Sequence, residues 1–138
     1  MKFVIDTNVL AYYLLGTKPF ADEARRFLTV VDRGMAPVLW EAEMANVVWM
    51  AIRAGALTPE QGALRLTAAA RLGVESIPTK SLCHGALLRA VDSGVAVYDT
   101  LFVELAVREG CPLATFDKGM LKAFPDVAAR PGALAGVQ

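Results

Sequence analysis

The sequence predicts an α/β domain with a parallel sheet, and three observations carry that expectation. Short apolar runs alternate with segments of helical period along the chain. No internal repeat and no low-complexity linker interrupts the alternation. The length, 138 residues, fits one domain over residues 1–138.

Taken in order, Lys2-Phe3-Val4-Ile5 reads as a buried strand ending at Asp6, and Asp6-Thr7-Asn8 as a turn able to cap a following helix. Residues 20–33 read as a helix, because Ala24, Phe27, Leu28 and Val31 fall at i, i+3, i+4, i+7, with Gly34 as its stop. Ala36-Pro37-Val38 is a short strand candidate. Residues 40–54 form a second helix, with Met44, Val47, Val48 and Ala51 on one face and Gly55 beyond its end. A third helix starts at Thr58 as N-cap, with Pro59 at the first helical position and Gln61 completing a capping box. Val74 to Ile77 is a strand, and residues 80–92 and 99–109 are helices, the latter ended by Gly110. Pro112 to Phe116 is a strand running into Asp117, followed by a short helix over 118–124 stopped by Pro125. Residues 126–138 are expected to hold an edge strand near Val127 and a tail.

Composition narrows the function classes. Hydrophobic residues make up 55% and charged ones 20%, enough for a sizeable core and against disorder. The run Val47-Val48-Trp49-Met50-Ala51-Ile52 falls far short of the roughly 20 residues of a membrane span. Asp6 and Asn8 break the N-terminal apolar segment too early for a signal peptide, so a cytoplasmic protein without membrane contact is expected. Fourteen basic residues balance fourteen acidic ones, which disfavours an extended non-specific DNA binder but allows a nuclease whose positive charge comes from metal. Cys83 and Cys111 match no zinc spacing and read as buried thiols; His84 is a lone histidine, read as a surface or partly buried helix residue.

The chemistry concentrates in four acids. Asp6 and Asp117 each follow an apolar strand, and the carboxyl ends of strands in a parallel sheet border the ligand crevice. Asp99 sits at the start of a helix after Val95-Ala96-Val97-Tyr98, and Glu43 lies in the first turn of the 40–54 helix, bordering its buried face. Each also has a purely structural reading: the aspartates as helix caps, Glu43 as a complement to a helix dipole. If they converge, two carboxylates about 5 Å apart repel by roughly 3 kcal/mol at an effective dielectric near 20. Four in one pocket then demand protons or cations, and an all-oxygen donor set suits Mg²⁺ or Mn²⁺. Such a centre serves phosphodiester hydrolysis.

These segments resemble a known family. Phe3-Val4-Ile5-Asp6-Thr7-Asn8-Val9-Leu10 resembles the opening strand of PIN-domain nucleases. Leu39-Trp40-Glu41-Ala42-Glu43-Met44-Ala45-Asn46-Val47 is similar to their second acidic motif, with Glu43 as the acid. Val97-Tyr98-Asp99-Thr100-Leu101-Phe102 is similar to the third, and Leu113-Ala114-Thr115-Phe116-Asp117-Lys118 to the fourth. Order, spacing and length resemble the VapC-type toxins of bacterial and archaeal toxin–antitoxin pairs, over about residues 2 to 124. The resemblance implies a PIN-like three-layer α/β/α domain with four or five parallel strands. It implies Mg²⁺- or Mn²⁺-dependent endonucleolytic cleavage of RNA, a cognate antitoxin partner and a homodimer. It places Asp6, Asp99 and Asp117 nearest the metal as catalytic ligands, with Glu43 acting directly or through water. It makes Thr7, Asn8 and Thr115 orienting residues of the surrounding shell.

The remaining features are read beside these. Lys118 is the best candidate for an RNA phosphate contact because it adjoins Asp117. Glu41, two residues before Glu43, points elsewhere on the helix, and Glu104 reads as solvated. Tyr98 is able to stack on a base but reads first as a core or dimer-interface aromatic. Trp40, Trp49, Phe102 and Phe124 read as core or interface. Two other functions compete: a catalytically inactive PIN-like binding module, against which the four intact acids stand, and an aspartate-nucleophile phosphatase, which needs a second aspartate where Asn8 stands.

Overall fold

In the computed structural model, which describes residues 1–136, the run Lys2-Phe3-Val4-Ile5 is the central strand of a five-stranded sheet. The strands are β1 (Lys2–Ile5), β2 (Arg33–Pro37), β3 (Glu75–Ile77), β4 (Leu113–Ala114) and β5 (Ala128–Ala129), in the order β3-β2-β1-β4-β5 with every pairing parallel. The chain therefore steps outward from β1 to β3, then returns to the other side of β1. Right-handed crossovers put the connecting helices of the two halves on opposite faces. Helices α1 (Thr7–Leu15), α2 (Ala21–Leu28), α3 (Leu39–Arg53) and α4 (Pro59–Ala70) pack together on one face. Helices α5 (Cys83–Ser93) and α6 (Val97–Glu109) pack together on the other, with α6 against β1, β2 and β4. The short helices α7 (Lys118–Ala123) and α8 (Pro131–Ala135) flank β5 in the chain. The result is the three-layer α/β/α arrangement expected of a parallel sheet.

The core explains why these residues take these roles. Phe3, Val4, Ile5, Met35 and Leu113 are buried in the sheet, as a strand covered on both faces requires. Thr100 to Ala106 are all buried, because α6 is sandwiched between the sheet and α5. The capping box of α4 forms as expected: Gln61 N donates to Thr58 Oγ1 at 3.1 Å, and Thr58 N to Gln61 Oε1 at 2.9 Å.

Several boundaries differ from the sequence reading. The helix expected over 20–33 ends at Leu28, and Gly34 is not its stop but a buried β2 residue paired with Phe3. The reason is close packing: a Cβ at Gly34 would lie 2.8 Å from Ile5 Cδ1. β2 accordingly begins at Arg33 and leaves Val38 outside. α6 starts at Val97, so half of the apolar run before Asp99 is already helical. The tail expected after the edge strand is instead α8 up to Ala135, tied down by Arg130 and Gly132 N donating to Glu23; residues 137–138 lie outside the described residues.

Candidate metal centre

The strand order reverses between β1 and β4, which opens the crevice where parallel sheets bind ligands. The two strands pair with Ile5 opposite Ala114, so Asp6 and Thr115 leave the sheet side by side. Their ladder still holds there: Asp6 N donates to Ala114 O at 2.9 Å and Thr115 N to Ala129 O at 3.1 Å. This register is the reason two acids more than a hundred residues apart share one site.

Asp6, Thr7, Asn8, Glu43, Asp99 and Asp117 all line one pocket of about 300 Å³. Asp6 stands at the N-cap position of α1, but its side chain caps no backbone N–H. It accepts instead from Thr115 Oγ1 at 2.7 Å and from Asn8 Nδ2 at 3.3 Å. Thr7 Oγ1 donates to Glu43 Oε1 at 2.7 Å and ties α1 to α3. Asn8 Oδ1 accepts from Phe116 N at 3.3 Å, and Thr115 Oγ1 from Asp117 N at 3.0 Å. Thr7, Asn8 and Thr115 thus bond directly to the acids or to their backbone; Thr115 does so from beneath, fully buried and outside the pocket lining. Asp117 does cap α7, accepting from Met120 N at 2.9 Å with Oδ1, while still bordering the pocket. For Asp99 the capping reading fails, since the α6 N-cap is Ala96 and no side-chain cap is made.

The pocket is electrostatically uncompensated. Asp6 is only 7% exposed. Burial, then the charges of Asp99 and Glu43, push its carboxyl up to about 7 against the lowering bond from Thr115. Burial raises Glu43 too, opposed by the Thr7 bond and helped by Asp99. Asp99 is raised by burial and by Asp117. No ion pair among the described residues involves any of the four acids. Glu104 shows the contrast. It is 7% exposed, not solvated as expected. Burial alone would raise its carboxyl, yet bonds from Arg89 at 2.8 Å and Arg108 at 2.6 Å lower it overall.

An all-oxygen, anionic, partly buried donor set without a protein cation fits a hard divalent ion. Among the described residues no three acidic, histidine or cysteine groups are already drawn together as a closed ligand cage. The four acids line one pocket without forming such a group.

Of the other readings, some hold and some are corrected. Tyr98 is 70% exposed and is not a core residue. Trp40 and Phe102 are core, whereas Trp49 is half exposed under Arg53, whose guanidinium carbon lies 4.9 Å from the ring centre. Cys83 is exposed and Cys111 only partly covered, so neither is a buried thiol. Lys118 is exposed at the first position of α7 and outside the pocket lining. Glu41 turns away to accept from Ser76 Oγ. The pocket is completed by Ala11, Tyr12, Leu15, Thr17 and Val47, which the sequence reading missed. Thr7, Asn8, Ala11, Tyr12 and Leu15 fall at helical spacing on one face, a signal available once a helix is assigned after Asp6.

Comparisons with known proteins bear on the fold and the family. No curated protein matches the chain. One chain of the crystal structure of VapBC2 from Rickettsia felis, bound to a DNA fragment from their promoter, is similar in fold. Its TM-score is 0.65 at 14% identity, over 94% of this chain and 98% of that one. The PIN domain model matches residues 3–127, a span that begins inside β1 and runs past Asp6, Glu43, Asp99 and Asp117. With that match over most of its length, the chain belongs to the PIN-domain family.

Proposed function

We propose that residues 1–138 act as one metal-dependent endoribonuclease unit, the VapC-type toxin of a toxin–antitoxin pair. The observation that carries the reading is the convergence of Asp6, Glu43, Asp99 and Asp117 on one pocket whose lining, among the described residues, holds no cationic side chain. Asp6, Asp99 and Asp117 would hold Mg²⁺ or Mn²⁺, with Glu43 completing the shell directly or through water. A bound ion of this kind supplies charge neutralisation at the scissile phosphate and a water of lowered pKa.

The chain's own residues do the rest. Thr115 from beneath and Asn8 from the pocket wall fix the Asp6 carboxylate, and Thr7 fixes Glu43. Such partners orient ligands and hold their lone pairs toward the ion. Lys118, exposed and next in the chain to Asp117, would be the residue to meet a flanking phosphate. An anionic pocket of this kind would be closed by a basic segment of an antitoxin, and the similar fold in the VapBC2 complex supports such a partner. A homodimer in the cytoplasm completes the reading.

The test is cleavage of total RNA by purified protein freed of any partner. Cleavage is expected in Mg²⁺ or Mn²⁺, absent in chelator, and reduced at least a hundredfold in Asp6→Asn, the scale of losing a group that stabilises the transition state. Wild-type protein that cuts no RNA with any divalent ion would overturn the assignment. An open reading frame for a short antitoxin directly upstream tests the toxin role separately.

A further inference from the structure

A second recess adjoins the acidic pocket. It measures about 470 Å³ and is lined by Leu39, Ala42, Glu43, Asn46, Val47 and Tyr98. Glu43 and Val47 line both recesses, so the two adjoin. The floor is one face of α3, since positions 39, 42, 43, 46 and 47 follow helical spacing. Apart from Glu43 it is apolar with a single amide. Asn46 Nδ2 reaches only Met50 Sδ at 3.7 Å, a weak acceptor, which leaves the amide's donor and acceptor edge available. Tyr98 forms the wall. It is 70% exposed, and its ring packs on no other ring among the described residues. It directly precedes Asp99, so its Cα lies about 3.8 Å from that of a pocket acid.

We infer that this groove is a nucleobase subsite, which takes one unpaired base of an RNA strand whose phosphate lies at the acidic pocket. The base stacks on the Tyr98 ring over the apolar floor, and its polar edge meets the Asn46 amide. The inference rests on the nuclease reading for the position of the phosphate. Adjacency to the acidic pocket selects the occupant: it must place a flat, partly polar ring within one chain unit of a metal-binding anion, and a nucleotide has that form. Amide groups pair with base edges through a donor and an acceptor side by side, and an aromatic face accepts any base. The subsite therefore selects single strands, because in a duplex both faces of each base are covered.

The test is fluorescence anisotropy with three labelled single-stranded RNA probes of equal length: oligoadenylate, oligouridylate and an abasic ribose-phosphate strand. Binding is measured in Ca²⁺, a hard ion for oxygen ligands. Wild-type protein is expected to bind oligoadenylate roughly tenfold or more tightly than the abasic strand, the size of one base–aromatic stack, with oligouridylate between. Tyr98→Ala removes that preference and Tyr98→Phe keeps it. Equal binding of all three probes by the wild type overturns the inference. So does a base preference that survives Tyr98→Ala. A Tyr98→Ala variant with unchanged RNA binding but an altered mass in solution overturns it as well, and assigns the ring to contacts between copies. Cleavage in Mg²⁺ is scored apart. Base-dependent binding lost in Tyr98→Ala without any cleavage would sink the nuclease reading alone; cleavage with base-independent binding would sink the subsite alone.

Discussion

Asp6 concentrates the tension of the site in one side chain. Its carboxyl titrates near 7, raised first by burial. A carboxyl raised from its ordinary 3.8 binds more protons folded than unfolded between those values, so stability falls as pH rises through that window. The metal-free protein is therefore expected to be more stable at pH 5 than at pH 8, by about 3 kcal/mol from Asp6 alone at 1.4 kcal/mol per unit. Glu43 and Asp99 shift in the same direction. Chemical denaturation in chelator at the two pH values checks this; greater stability at pH 8 would contradict it. Metal binding runs the other way, because ligands must lose their protons first, so Mn²⁺ affinity is expected to weaken below about pH 7. Asp6→Asn separates stability from function. The amide can still accept from Thr115 and Asn8 while removing the buried charge. Its melting temperature in chelator at pH 8 should be equal to or above wild type, with divalent binding lost by calorimetry.

At the scale of elements, the pocket exists because three helix starts, the second turn of α3 and two strand ends meet, Glu43 lying past the first turn expected for it, and the two halves of the chain must be locked for that. The lock is α6 against β1 and β2, and α5 covers α6. Glu104 sits between Arg89 and Arg108, and Gly85 provides the space, since a Cβ there would press into the Glu104 carboxylate. Gly85→Ala is expected to cost roughly 1–2 kcal/mol, overpacking being partly offset by better helix propensity. A urea titration reads it directly, and a stabilised variant would show that Glu104 yields freely. Elements with local chemistry were legible in the sequence. The Thr58–Gln61 capping box and the apolar run Lys2 to Ile5 needed no information from afar. Gly34 was not legible as a strand residue, because its reason is a side chain contributed by β1. Glu104 was misread for the same cause: one partner, Arg108, is a helical neighbour, but Arg89 arrives from another helix.

For the whole molecule, the parallel order β3-β2-β1-β4-β5 creates a switch point, and the switch point gathers like charge. A divalent ion that binds only the folded chain should then stabilise all of it. At a hundredfold excess over its dissociation constant the gain is about 2.7 kcal/mol, or several degrees in Tm for a domain of this size. Mg²⁺ or Mn²⁺ should raise the wild-type Tm and leave Asp6→Asn unmoved; an equal rise in both would place the ion elsewhere. The sequence by itself determined the fold class, the family resemblance and the identity of the four acids, because periodicity, caps and motif spacing are local properties. It could not determine that the acids meet, that Asp6 caps nothing, or that Tyr98 stands in solvent beside them. Those outcomes depend on the register of β1 against β4 and on which helix covers which face, and only tertiary packing sets either.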